Sequence, residues 1–144
     1  MHELLLIVRL AGRRVAFPAS EVEGVVEIEG ITPAPRTATH VAGLSSLRSR
    51  VLTVVDCLAS LEFGAVEAAP CHDAIVVPSG GHPYALLVDR VEDVVEAESP
   101  PAPISAPAGP GWERVATGMV EAGGDLLLLV DPHLLIAGPI ARAA

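Results

Sequence analysis

Lysine is absent from this 144-residue chain: all nine basic residues are arginine, against 18 acidic ones, for a formal charge of −9. A surface that acidic repels phosphate backbones, which argues against a nucleic-acid partner. Aromatics are scarce, limited to Phe17, Phe63, Tyr84 and Trp112, so few stacking surfaces exist for bases or sugars. Long apolar runs are missing as well. Leu4–Val8 and Leu126–Val130 are five residues each, far short of the roughly 18 needed to cross a bilayer, and Arg9 interrupts any leader-like core. The two cysteines, Cys57 and Cys71, form neither a metal spacing nor a disulfide framework. These absences predict a soluble cytoplasmic protein with no direct membrane insertion.

What is present is an aliphatic chain, 51% hydrophobic, that repeats itself. A shift of 69 residues carries Gly12 onto Gly81, Val22 onto Val91, and Val25-Val26-Glu27 onto Val94-Val95-Glu96. A shift of 75 carries Gly43 onto Gly118 and Val54-Val55-Asp56 onto Leu129-Val130-Asp131. The extra six residues fall in the proline-rich stretch Ser99–Gly111. Two copies of one β-rich unit, each too small to bury much surface alone, predict two similar subdomains sharing a core.

Within each copy the pattern is strand, turn, strand. Leu4–Leu10 and Val15–Phe17 flank a turn at Gly12-Arg13-Arg14, and Ala74–Val77 and Tyr84–Val88 flank Gly80-Gly81. Val25–Ile28 reads as an alternating strand with Glu27 and Glu29 facing water. After the connector Ile31–Arg36, with its two prolines, Gly43–Leu47 and Val51–Val55 surround a polar tip, Arg48-Ser49-Arg50. Asp56 and Asp131 precede short helices as caps, the first helix ending at Gly64. Four to five short strands per unit favour a small closed barrel over an open sheet.

Catalytic readings are weak. Asp56 and Asp131 occupy equivalent positions, but neither has the small hydroxyl residue and glycine that a shared-proton aspartate pair needs. His40, His72, His82 and His133 lack ligand spacing, and Ser45, Ser46 and Ser49 lie in no nucleophile elbow. The remaining reading is an interaction module, with Arg48 standing at a hairpin tip of an acidic protein.

Gly43–Val51, running on to Val54-Val55-Asp56, resembles the hallmark of CheW-type coupling proteins of bacterial chemotaxis: a glycine, an Asn-Leu-Arg-Gly turn, then a strand ending in Asp. Ile31–Pro35, Ala85–Val94, and Gly118–Val120 with Leu126–Asp131 resemble further family segments, so the likeness extends over about Leu4–Ile136. The resemblance implies an all-β fold with short helices: one CheW-like domain over 1–144, two SH3-like five-stranded barrels around a shared hydrophobic core. The repeat would divide roughly into 10–70 and 71–136, with the chain ends crossing between them. It also implies a non-enzymatic adaptor, without cofactor or metal, that bridges the cytoplasmic tip of chemoreceptors to the regulatory domain of a histidine kinase at receptor arrays. By the same likeness Arg48, Val22 and Gly24 would contact partners, with Val91 and Val94 their counterparts in the second copy. A diverged scaffold for surface motility or polar localisation, and a small-ligand β-barrel, are the alternatives. Ser46 stands where the family has Asn, Ser49 where it has Gly, and Leu58 where many relatives have Arg. If Ser49 takes a positive φ, it costs about 1 kcal/mol relative to glycine.

Overall fold

Among the described residues ten strands and three short α-helices form in the order β1 (Leu4–Leu10), β2 (Arg13–Pro18), β3 (Gly24–Ile28), β4 (Val41–Leu47), β5 (Arg50–Asp56), α1 (Cys57–Ser60), β6 (His72–Ser79), β7 (His82–Val88), β8 (Arg90–Glu96), α2 (Pro110–Val115), β9 (Ala116–Ala122), β10 (Asp125–Val130) and α3 (Pro132–Ala137). The computed structural model describes residues 3–105 and 107–139. The strands make two five-stranded sheets, β8-β1-β2-β10-β9 and β3-β6-β7-β5-β4.

These orders are the same once the repeat is applied. A shift of 69 superposes β1–β3 on β6–β8, and a shift of 75 superposes β4 and β5 on β9 and β10. Each barrel therefore takes its central hairpin from one copy and its other three strands from the other copy. The parallel pairing of β10 with β2 (Leu128 beside Val15) reproduces that of β5 with β7 (Thr53 beside Tyr84), residue for residue. Barrel boundaries thus fall elsewhere than the repeat boundaries: β6 and β7 belong with β3–β5, and β1 and β2 with β8–β10.

The continuous apolar runs follow from this exchange. Alternate side chains of a strand face opposite ways, so a strand buried on both faces needs an unbroken apolar sequence. In β1, Leu6, Val8 and Leu10 enter the core shared by both barrels, while Leu5 and Ile7 fill the interior of their own. In β6, Ile75 and Val77 enter the shared core, and Ala74 and Val76 point into the second barrel. Phe17, Trp112, Leu61 and Leu135 complete the shared core. Cys57 is fully buried there, and desolvation pushes its thiol pKa upward.

Close backbone approaches explain the repeated Gly43 and Gly118. Thr32 and Ala102, from the two proline-bearing connectors, each exchange a pair of backbone hydrogen bonds with Leu44 and Met119, at 2.7–2.9 Å. A Cβ on Gly43 would sit 2.1 Å from the Thr32 carbonyl oxygen, and one on Gly118 would sit 2.7 Å from that of Ala102. The helices are tied at their ends. Asp56 accepts from the Ala59 amide and Asp131 from that of His133. Arg114 donates to the carbonyls of Ser60, Leu134 and Gly138 and to the Ser60 hydroxyl.

Two local expectations are corrected. The first turn is Ala11-Gly12, with Arg13 and Arg14 already in β2, and α1 ends where Glu62 turns to φ 63°, before Gly64. Helix α2 begins at the end of the proline-rich stretch, its start marked by Pro110 at the first position.

Candidate functional site

Four two-residue turns connect the central and outer hairpins, and both residues of each have positive φ: Ala11-Gly12, Arg48-Ser49, Gly80-Gly81 and Gly123-Gly124. Such turns match the right-handed twist of the strands and select glycine at one or both positions. Arg48-Ser49, at φ 52° and 66°, has no glycine. Of the four turns, local conformation is thus least favourable at the one that carries the candidate arginine.

Around this turn lies a groove of about 280 Å³, lined by Glu23, Gly24, Val25, Leu47, Arg48 and Arg50. Arg50 is not the free cation of a solvated tip: its guanidinium pairs with both carboxylate oxygens of Glu23, at the start of β3. That hydrogen bond holds the Glu23 pKa below the ordinary carboxylate range. Arg48 makes no ion pair among the described residues. The equivalent positions in the other barrel are Glu92 and Asp125, two acids, and Arg14 of β2 bridges them. Both barrels therefore pin the same two points, with different charges.

Of the five positions singled out from sequence, Arg48 and Gly24 line one groove, in the second barrel. Val94 is exposed, on β8 of the first barrel. Val22 and Val91 are half-buried and pack against the shared core, the ordinary fate of valine. The residue that sequence reasoning passed over is Val25, the counterpart of Val94: the two are 51% and 54% exposed. Strand alternation carries the signal, because Val26 and Ile28 face inward and leave Val25 with Glu27 outside. Val51 and its counterpart Leu126 form a second exposed apolar pair, at 59% and 55%.

Asp56 and Asp131 act as helix caps, and the carboxylate of Asp56 also accepts from the Val66 amide. His133 lies between Glu21, at 2.8 Å, and the Ser79 hydroxyl, at 3.3 Å. This contact joins α3, the turn at Ala19–Glu21 and the β6–β7 hairpin. No group of three metal-ligating side chains occurs among the described residues, and no helix there is long and apolar enough to cross a membrane.

Residues 4–139 match the profile of the CheW-like domain. The chain belongs to this family. It is 32% identical over 114 residues to the chemotaxis protein CheW of Rhizobium meliloti (strain 1021), covering 76% of this chain and 74% of that one. It is 26% identical to the chemotaxis protein CheW of Thermotoga maritima, covering 85% and 80% of the two chains. Protein FrzA of Myxococcus xanthus is 27% identical, with 81% and 73% covered. The crystal structure of scaffolding protein TtCheW from Thermoanaerobacter tengcongensis superposes with a TM-score of 0.76 at 21% identity, over 94% of this chain and 92% of that one, which shows the shared fold. CheW-like proteins are non-enzymatic scaffolds of chemotaxis-type signalling, and this chain is one of them. Its fold is mostly β, two five-stranded SH3-like barrels with few short helices. The Ser79–His133–Glu21 contact is accordingly a strut between elements rather than a hydrolytic relay.

Proposed function

We propose that this CheW-like protein couples chemoreceptor tips to the regulatory domain of a histidine kinase, and that Arg48 on the β4–β5 turn is a partner contact. The observation that carries this reading is the turn itself. It holds an exposed arginine in a left-handed conformation, without an ionic partner among the described residues, beside exposed Val25. An acidic protein that holds an arginine without an ion pair among the described residues at a strained tip has a surface suited to a carboxylate on another protein. Gly24 lines the same groove, whereas Val94 would serve a contact on the opposite barrel; Val22 and Val91 would act through the core that positions these strands. Contacts of this size are individually modest, and an array of receptors raises their effective strength through avidity. The protein would then be recruited to membrane-associated arrays from the cytoplasm.

A second reading, a scaffold for another output such as surface motility, draws on the likeness to Protein FrzA. Calorimetric titration of the wild type and Arg48→Ala against the kinase regulatory domain and a receptor-tip fragment tests the proposal. Saturable binding that weakens about tenfold in Arg48→Ala is the expected result. A folded wild type that binds neither partner would refute it and turn attention to motility kinases.

A further inference from the structure

The two barrels are built alike, yet among the described residues only one has its seam closed by an extra strand contact. Each seam lies between the end strands of a sheet, β8 and β9 in the first barrel, β3 and β4 in the second. In the first, Glu98 spans the gap twice. Its amide donates to the carbonyl of Glu121 at 2.8 Å, and its carboxylate accepts from the amide of Gly124, in the β9–β10 turn, at 3.2 Å. The corresponding positions in the second barrel are Glu29, Ser46 and Ser49, and neither bond forms among the described residues.

Ladder geometry shows what this leaves open. Leu47 and Arg50 flank the two-residue turn and form its hydrogen-bonded pair, so the next pair, Ser46 and Val51, turns its backbone groups away from each other. Leu44, two residues further on, obeys the same alternation and spends its outward amide and carbonyl on Thr32. The outward amide and carbonyl of Ser46 have no such partner among the described residues. The seam opens there into a groove of about 940 Å³, with Ile31, Leu44, Leu47 and Val51 in its lining, against about 220 Å³ beside Glu98 in the first barrel. Arg48 stands at the turn end of the seam, where the first barrel has Gly123, and Glu27 and Glu29 line the groove beside Ser46 and Leu47.

We propose that this seam receives an extended segment of the partner protein presenting a glutamate, seated as Glu98 is seated in the first barrel. The segment's backbone bridges to Ser46, its carboxylate takes the Ser49 amide and the Arg48 guanidinium, and its apolar neighbours cover Leu44 and Val51. The Arg48 guanidinium attracts a carboxylate at the turn end of the seam. The inference rests on the adaptor reading and specifies how one partner is held.

The test titrates the kinase regulatory domain and the receptor-tip fragment, each in turn, into wild type, Ser46→Pro, Ser46→Ala and Arg48→Ala. Proline is tolerated on an edge strand where its missing N–H faces outward, and its ring then occupies the bridging place. Ser46→Pro and Arg48→Ala are expected to weaken binding of one partner about tenfold or more, and Ser46→Ala to leave it within about twofold. Amide exchange on the wild-type complex gives an answer that no variant's folding affects: the Ser46 and Ser49 amides should become protected. Wild-type affinity in folded Ser46→Pro, or unprotected Ser46 and Ser49 amides in the complex, overturns the strand contact and leaves the adaptor reading standing. A wild type that binds neither probe removes both.

Discussion

Replacing Ser49 by glycine should stabilise the protein, although Ser49 is exposed and its hydroxyl makes no hydrogen bond among the described residues. A left-handed backbone costs an L-residue roughly 1–2 kcal/mol, because Cβ crowds the following carbonyl. Ser49 sits in that region at φ 66°. Glycine removes this cost but returns about 0.5–1 kcal/mol through the greater freedom of its unfolded chain. The net gain is therefore about 0.5–1 kcal/mol, or roughly 1–4 °C in Tm for a domain of this length. Urea denaturation followed by the fluorescence of Trp112, the single tryptophan, would read this as a rise in midpoint of a few tenths molar at unchanged slope. The repeat supplies the reverse experiment. Gly124 occupies the equivalent place at φ 81°, with no heavy atom within 4 Å of where a Cβ would stand, so Gly124→Ser isolates the same conformational cost without a clash. It also meets Glu98 only through its amide, which serine retains. Gly124→Ser should lose about what Ser49→Gly gains. An unchanged or lower midpoint in Ser49→Gly, with its slope preserved, would refute the strain argument at this turn.

Three other outcomes follow from the same coordinates. Gly43→Ala should cost about 3 kcal/mol or more and Gly118→Ala less. Gly43 combines a φ of 149° with the closer carbonyl approach, and chemical denaturation would give the order. Arg114→Met should cost about 2–3 kcal/mol by orphaning three carbonyls, and Arg114→Lys should restore only part of it, since an ammonium cannot fork to α1 and α3 together. Acid should erode stability through Glu23 and Glu92, whose pKa values are held down by hydrogen bonds from Arg50 and Arg14 respectively. A depressed folded pKa contributes stability above the unfolded value, and that contribution is lost as pH falls through the folded one. Denaturation midpoints against pH should accordingly fall less steeply below the ordinary carboxylate range in Arg14→Met than in wild type.

Much of this architecture is legible in the residues because the repeat and the strand period act together. Gly12 and Gly81, or Gly43 and Gly118, mark equivalent points, and both pairs meet backbone demands that only glycine satisfies cheaply. The exchange of hairpins is not legible, since β2 can pair with β5 or with β10 at the same register and both interfaces are aliphatic. Only three-dimensional closure decides between them. Helix α2, at the end of the proline-rich stretch, is not legible because six residues give too little periodicity to stand out. The candidate site divides the same way. Arg48 is visible as a cation on an acidic chain, but choosing Val25 over Val22 requires knowing where the strand begins, because one residue of offset reverses the buried face. The open seam beside Ser46 depends on a hydrogen bond that Glu98 makes and Glu29 does not, and the residue types at these two positions are identical.

That last pair shows how a duplicated fold separates stability from recognition. The interior positions answer to each other across the exchanged hairpins, so neither copy can change Phe17, Ile75 or Leu128 without disturbing a core shared by both. The rims carry no such constraint. There the copies have diverged in three places on one face: Glu23–Arg50 stands against Glu92–Arg14–Asp125, Arg48-Ser49 against Gly123-Gly124, and an open seam against one closed by Glu98. At the turn and the seam the first barrel uses relaxed glycines and Glu98, while the second keeps a strained turn and an arginine without an ion pair among the described residues. Strain and unmet hydrogen-bonding capacity persist where another molecule can satisfy them. Under the proposed reading the second barrel is the one that meets a partner at this rim, and Glu98 in the first shows the kind of contact that partner would make.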